Sequence, residues 1–149
     1  MWLTVPQEAL VRVSPSREEL IDGLRGVVHL LHHLAPIFLL CDYRDLGSWL
    51  GDTTPAEPGA TVATRESTRR QLLAAETFKP TIYLYDSHAG GIGLAERLFE
   101  VLPALVLHAR ETLRACPCAW GCPSCVGPVN EVGRRAKATA GAILDVLTA

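Results

Sequence analysis

The chain has 149 residues, 48% of them hydrophobic, which is enough to bury one core and form a single domain over residues 1–149. Its formal net charge of −2 excludes a global positive field for nucleic acid, so any contact with a polyanion requires a local basic patch. No apolar run approaches the roughly 18 residues that cross a bilayer, and the N-terminal residues do not resemble a signal peptide. We therefore expect a cytoplasmic monomer with no membrane partner.

The first strong structural signal is a helix that begins near Ser16. Residues 2–13 before it are predicted to form one or two short extended segments, interrupted at Pro6. Ser16 is a candidate N-cap, and Glu19 follows three residues later, as in a capping box. Apolar residues then recur at helical spacing, at Leu20, Ile21, Leu24, Val27, Val28, Leu31 and Leu34. Pro36 is expected to end this helix.

The apolar run at residues 37–41 predicts a strand that is buried on both faces. Cys41 belongs to this run, and we interpret it as a core residue because free cysteine is among the most buried residue types. Residues 51–62 are rich in Gly, Pro and Thr and predict a flexible loop. A short helix is expected from Glu66 to Ala75, and a second strand from Pro80 to Asp86.

Carboxylates follow or close both predicted strands. Asp42 follows the first and Asp86 ends the second, so neighbouring strands would place them side by side as a nuclease-like pair. Arg44, between Asp42 and Asp45, instead favours a local ion-paired turn. The histidines of the first helix lack a nearby carboxylate and are expected to face solvent or a partner; they are His29, His32 and His33.

A glycine-rich turn, Gly90-Gly91-Ile-Gly93, leads from the second strand into another helix. Neither G-x-x-x-x-G-K-[ST] nor G-x-G-x-x-G is present, which favours a tight packing turn over a nucleotide loop. The alternative is that the N–H groups of Gly90 and Gly91 hold a phosphate of a nucleic-acid backbone. Pro103 is expected to kink this helix or begin a new one, and a last helix is predicted over residues 130–147.

These elements predict an α+β fold. Its small buried sheet is packed by several helices, and a cysteine loop lies between the last two helices. Four of the five cysteines form that loop, at Cys116, Cys118, Cys122 and Cys125. Their spacing, C-x-C-x3-C-x2-C, is interrupted by prolines and glycines that bend the backbone and direct the thiols toward one ion.

Two other roles for the cysteines are less favoured than zinc. A disulfide cluster would need an oxidising compartment, for which the sequence gives no signal. Ferredoxin-type iron–sulfur motifs space their cysteines differently. Because four thiolates fill a tetrahedral coordination sphere, one structural Zn²⁺ is the favoured interpretation.

Basic and aromatic residues near the loop are candidates for nucleic-acid contact. Arg134, Arg135 and Lys137 follow the loop, and they either meet phosphates or offset the negative charge of a Zn(Cys)4 centre. Trp120 lies inside the loop and either shields the metal, which is favoured, or stacks on a base. A second basic group comprises Arg65, Arg69 and Arg70.

Several separated motifs together resemble one known family. They are the strand ending Tyr-Leu-Tyr-Asp86, the following Gly90-Gly-Ile-Gly-Leu-Ala-Glu-Arg97, the four-cysteine loop, and the upstream Leu40-Cys-Asp42-Tyr-Arg44-Asp45-Leu-Gly47. In this order they are similar to the C-terminal zinc-binding domain of MrfA-type (YprA-like) superfamily 2 helicases, over about residues 20–130. The resemblance implies that the four cysteines bind one zinc ion. It also implies that the domain follows two RecA-like motor domains of an ATP-dependent, 3′-to-5′ DNA helicase linked to DNA repair.

The sequence departs from the whole helicase in having no Walker A or DExH-type motif, so ATP would bind only to the parent motor domains. The leading interpretation is an accessory domain that packs on the motor domains in cis and helps to hold single-stranded DNA. The main alternative is a zinc-stabilised protein-interaction module without nucleic-acid binding. A thiol or iron–sulfur redox protein and an Asp42–Asp86 nuclease follow as further alternatives.

Overall fold

The computed structural model describes residues 1–14, 16–52, 65–74, 78–88 and 90–149. Its helices and strands follow in the order β1 (Trp2–Thr4), α1 (Gln7–Val13), α2 (Arg17–Leu39), β2 (Leu46–Asp52), α3 (Arg65–Ala74), β3 (Pro80–Asp86), α4 (Leu94–Ala115), α5 (Val129–Val132) and α6 (Ala136–Leu147). A short 3-10 turn, Tyr43–Asp45, separates α2 from β2. The predicted α+β class is confirmed.

The sheet has β3 at its centre, in the order β1-β3-β2, and both pairings are antiparallel. Alternate residues of β3 face opposite sides. Ile82 and Leu84 are fully buried in the helical core, whereas Tyr85 is 48% exposed on the other face. The sheet therefore packs on the helices with one face, and its central strand ends at the glycine turn that begins α4.

Helix α2 is the central element of the helical layer. The predicted N-cap is confirmed, since Ser16 Oγ accepts a hydrogen bond from the Glu19 N–H at 3.3 Å. The reciprocal half of a capping box is replaced by Ser14, whose Oγ accepts from the Ser16 N–H and donates to Glu19 Oε2. The helix start is thereby fixed by two serines.

Two glycines allow α2 to approach its neighbours closely. A Cβ on Gly23 would lie 2.5 Å from Thr139 Cγ2 of α6, and a Cβ on Gly26 would lie 2.8 Å from Val126 Cβ. Real Cβ atoms do not approach other atoms so closely, so any larger residue would push α6 or the end of the cysteine loop away. The position of the cysteine loop therefore depends on these two small residues.

The strand predicted at residues 37–41 is wrong. Helix α2 continues through Pro36 to Leu39 and ends at Leu40, whose left-handed φ of 55° allows the Leu40 and Cys41 N–H groups to bond Pro36 O. The apolar run is instead the last turn of a helix with one buried side, because Leu39 is 4% exposed and Ile37 is 65% exposed. Cys41 lies half-buried against the core.

Other differences concern element boundaries. After β1, Pro6 is the N-cap of helix α1, where the sequence predicted only extended segments. Gly133, with a φ of 82°, divides the predicted last helix into α5 and α6. Strand β2 occupies residues that were not predicted as a strand and includes residues 51–52 of the predicted loop. The rest of that loop and Ala75 lie outside the described residues.

Within the described residues, the structure contains no helix with both the length and the apolar character needed to cross a membrane.

Candidate metal centre

The loop between α4 and α5 brings four cysteine sulfurs together. Cys116 Sγ lies 3.6 Å from the Sγ atoms of both Cys118 and Cys122, and Cys125 Sγ lies 3.5 Å from Cys118 Sγ and 3.6 Å from Cys122 Sγ. All four Sγ atoms lie within 4.8 Å of one another. The four predicted ligands therefore form one cluster.

The separations discriminate between a disulfide and a metal site. A disulfide holds its sulfurs about 2.05 Å apart, and the cysteines of this cluster are all free thiols. In a tetrahedral centre with Zn–S bonds of about 2.3 Å, neighbouring sulfurs lie roughly 3.8 Å apart. The observed 3.5–3.6 Å separations are close to that edge length, so these residues fit Zn²⁺.

Local backbone geometry turns the cysteines inward. The N–H groups of Cys125 and Gly127 both donate to Cys122 O, at 2.9 and 3.0 Å, which closes a tight turn around the last two sulfurs. Gly121 has a φ of 141°, and a Cβ there would lie 2.8 Å from Val126 Cγ2. Glycine is required at this position because a side chain would displace Val126 from the core.

The thiols differ in how readily they ionise. Burial dominates at Cys125 and raises the pKa of its thiol to about 12. Burial also acts to raise the pKa of Cys118, but hydrogen bonds involving Cys125, Cys116 and Lys137 outweigh it and lower that pKa to about 7. A cation bound by four thiolates must displace these protons, so binding is expected to weaken in acid.

His29 attaches the loop to α2. Its Nε2 lies 2.7 Å from Pro123 O, and because a carbonyl only accepts, Nε2 carries the proton. Burial lowers the pKa of His29, which favours this neutral donor. His32 likewise donates from Nε2 to Leu46 O at 2.9 Å, while His33 is exposed. His29 and His32 are thus half-buried and bonded within the fold, while His33 faces solvent as predicted.

Lys137 attaches the loop to α6. Its Nζ donates to Cys116 O at 2.7 Å and to Cys118 O at 2.5 Å. Arg135, in contrast, is 73% exposed and pairs with Glu19 at 3.1 Å, and Arg134 is exposed. The three cations predicted as one phosphate-binding group thus have different environments.

Trp120 is 56% exposed, although it lies within the cysteine loop. Its indole is therefore available to solvent, and the favoured interpretation that it shields a metal is not supported by this exposure. The buried residue beside the sulfurs is Val126, which is fully inaccessible and belongs to the core.

The glycine turn before α4 is organised by a carboxylate. Asp86 Oδ1 accepts from the His88 N–H at 3.0 Å, and Asp86 Oδ2 accepts from the Ile92 N–H at 2.5 Å. These bonds, the Ile92 bond foremost, lower the pKa of Asp86. A phosphate at Gly90 and Gly91 would meet this negative charge, so the geometry favours a packing turn.

The nuclease-like pair was predicted from two strand ends, and only Asp86 ends a strand, although Asp42, Asp45 and Asp86 all lie near Cys41. Asp42 follows a helix and not a strand, and its carboxylate accepts from the Arg44 N–H at 2.9 Å. Asp45 accepts from the Asp42 N–H at 3.0 Å and bonds His88 Nε2 at 2.8 Å. Asp42 and Asp45 cap the backbone of the 3-10 turn. The turn predicted at these residues therefore forms, but backbone N–H groups and not the Arg44 side chain bind the carboxylates.

Sequence reasoning missed three contributors to this centre. Gly23 and Gly26 form a small-residue face on α2 that a G-x-x-G spacing in a helix could have indicated. His29 bonds a residue that is 94 positions away in sequence. No local pattern signals such a contact.

Comparison with known proteins places these observations in one family. Residues 27–126 match the family described as MZB, the MrfA Zn-binding domain. An uncharacterized ATP-dependent helicase of Bacillus subtilis, YprA, is 34% identical over 125 residues, which are 84% of this chain and 14% of that protein. An uncharacterized protein of Methanocaldococcus jannaschii is 31% identical over 113 residues, which are 72% of this chain and 86% of that protein.

The same fold occurs in a solved structure of the helicase MrfA bound to DNA, with a TM-score of 0.69 and 30% identity over 98% of this chain. A structure of MrfA bound to DNA and AMPPNP gives a TM-score of 0.58 and 29% identity over 97% of this chain. This chain spans only 16% and 15% of those two chains. From the family match, the identity and the cysteine cluster, the chain belongs to the MrfA Zn-binding domain family.

Proposed function

We propose that the chain is a zinc-binding accessory domain of an ATP-dependent 3′-to-5′ DNA helicase that acts in DNA repair. Cys116, Cys118, Cys122 and Cys125 hold one structural zinc ion. The separations of the four sulfurs carry this proposal, because they match the edges of a tetrahedral thiolate centre. Four thiolates leave no open coordination position for a water, which favours a structural over a catalytic role.

ATP binding is proposed for motor domains in cis with this domain. Two relatives are named ATP-dependent helicases, and this chain spans 14% and 11% of their lengths. The chain itself has neither the Walker A motif nor the DExH-type motif of such motors. The match to the Methanocaldococcus protein covers 86% of that protein, so a similar domain also occurs there without motor domains of comparable size.

Contact with single-stranded DNA is proposed at the surface beside the cysteine loop. Trp120 offers an exposed ring for base stacking, and the exposed Arg134 and Arg135 offer charge for phosphates. Lys137, the third cation predicted for this surface, is not included, since its ammonium is bound to the loop. The two MrfA structures are complexes with DNA, which supports this part of the proposal.

Two measurements on the purified chain test the proposal. Elemental analysis is expected to give one zinc per chain. Fluorescence anisotropy with a labelled single-stranded oligonucleotide is expected to show affinity that falls steeply as salt rises, because phosphate contacts release counterions. The double variant Trp120→Ala/Arg134→Ala should bind more weakly, whereas Arg12→Ala, on the exposed side of α1, should not.

An interaction module without nucleic-acid binding is the second candidate. Large apolar side chains that are exposed in this structure favour it, among them Leu40 at 91% and Phe99 at 70%. Zinc without any salt-dependent DNA binding would support this candidate and contradict the DNA contact. A protein free of zinc, yet folded, would contradict both.

A further inference from the structure

Lys137 extends from the start of α6 back to the two ends of the C-x-C segment. Its Nζ donates to Cys116 O at 2.7 Å and to Cys118 O at 2.5 Å, so one ammonium fixes the backbone of two proposed ligands. The side chain is half-buried. A lysine with these contacts cannot extend into solvent to meet a distant phosphate.

The position of this lysine is unfavourable for the helix considered alone. Helix α6 begins at Ala136, so Lys137 lies in its first turn, and that turn contains no acidic residue. A helix N-terminus carries partial positive charge, and a cation there is repelled. The two carbonyl oxygens offset part of this repulsion, and a negative group near the lysine would offset more of it.

The cysteine cluster supplies such a group once it holds a divalent cation. Four thiolates around Zn²⁺ leave a net negative charge. The bonds to Cys116 O and Cys118 O hold the Lys137 ammonium next to that charge. Groups just outside the ligand set that orient ligands and balance charge strongly affect how tightly a metal is held.

We propose that Lys137 is a positioning residue that retains zinc in the Cys116–Cys125 loop, by fixing the C-x-C backbone and offsetting the charge of the thiolate centre. This inference rests on the proposed zinc site, but it concerns how strongly zinc is held and not whether it binds. It also assigns Lys137 to the metal centre and removes it from the group of nucleic-acid contacts.

The test compares zinc affinity in the full chain and three variants. Lys137→Met removes the charge and keeps an apolar stem, while Lys137→Arg keeps the charge. Lys79→Met is the matched control, because Lys79 is the other lysine of the chain and lies exposed before β3. Zinc is titrated against a chelator of known affinity, and Co²⁺ is bound separately to record its absorption.

Removing a group of this kind typically lowers metal affinity about 10–100-fold, and we expect that loss in Lys137→Met. Lys137→Arg should recover most of it, and Lys79→Met should match the wild type. The thiolate-to-Co²⁺ absorption should shift in Lys137→Met, because the positive charge next to the sulfurs is gone. A role in packing alone would not shift it.

Equal zinc affinity in Lys137→Met and wild type would overturn the inference and leave the zinc site standing. Absence of zinc in the wild type would instead overturn the proposed function. If Lys137→Met cannot be isolated with metal, the rate of zinc loss to a chelator is compared between wild type and Lys137→Arg. In that case, wild type, Lys79→Met and Lys137→Arg are expected to lose zinc at the same rate, and faster loss from Lys137→Arg would overturn the role of the charge.

Discussion

The close contact between α2 and α6 predicts that Gly23→Ala destabilises the protein. In an exposed helix interior, alanine is more favourable than glycine by about 1 kcal/mol. Here the new Cβ would lie 2.5 Å from Thr139 Cγ2 and 3.1 Å from the Ala140 backbone nitrogen, so the helices must separate. Overpacking of this kind costs about 1–3 kcal/mol. We therefore expect a net loss of about 1 kcal/mol in the free energy of unfolding.

Gly141→Ala provides a control of opposite sign on α6. A Cβ there would lie 3.7 Å from Leu113 Cδ2, which is an ordinary contact, so the helix propensity gain should remain. Urea unfolding of the zinc-bound protein, followed by circular dichroism, measures both variants. A loss of 1 kcal/mol corresponds to about 2–4 °C in Tm for a chain of this length. If Gly23→Ala is as stable as Gly141→Ala, the close approach described above is wrong.

Three further predictions concern the metal centre, the pH response and the glycine turn. Cys125→Ser should lower zinc below one per chain and reduce Tm, because a buried core sulfur is lost; full zinc content by elemental analysis would contradict the ligand assignment. Burial lowers the pKa of His32 from 6.5, so the unfolded chain takes up the proton first and stability should fall as pH drops below that value. His32→Gln should flatten the pH dependence measured by urea unfolding, and an unchanged slope would refute this cause. Asp86→Asn should lower Tm by weakening the bonds to the His88 and Ile92 N–H groups, while zinc content stays unchanged; an unaltered Tm would show that the turn does not need the charge.

Much of the fold was predictable where the signal is local. The start of α2 follows from Ser16 and apolar spacing, and β3 follows from a compact apolar strand with turn residues at each end. Strand β2 was not predictable, since Gly47 and Gly51 weaken its pattern. In the structure the ring of Tyr85 covers Gly47, where a Cβ would lie 2.3 Å from the ring, so this strand depends on its partner.

The metal centre divides in the same way. Its four cysteines lie close in sequence, and their spacing alone predicted that they converge. The groups that attach the loop to the core were not predictable, because His29 and Lys137 act on carbonyls that any residue provides. Both contacts depend on which face of α2 and of α6 is turned toward the loop, and the sequence alone did not determine that orientation.

The pairing of α2 with α6 also has a consequence for synthesis of the chain. Gly23 packs against Thr139, so the partner of this part of α2 is synthesised 116 residues after the glycine. At about 5–20 residues per second, that delay is roughly 5–25 s. Throughout it, the face of α2 that α6 covers lacks its native partner, even after β2, β3 and α4 have been made. We therefore expect nascent chains to recruit a chaperone in this interval, and variants that slow the closing contact to be lost to proteolysis before they bind metal.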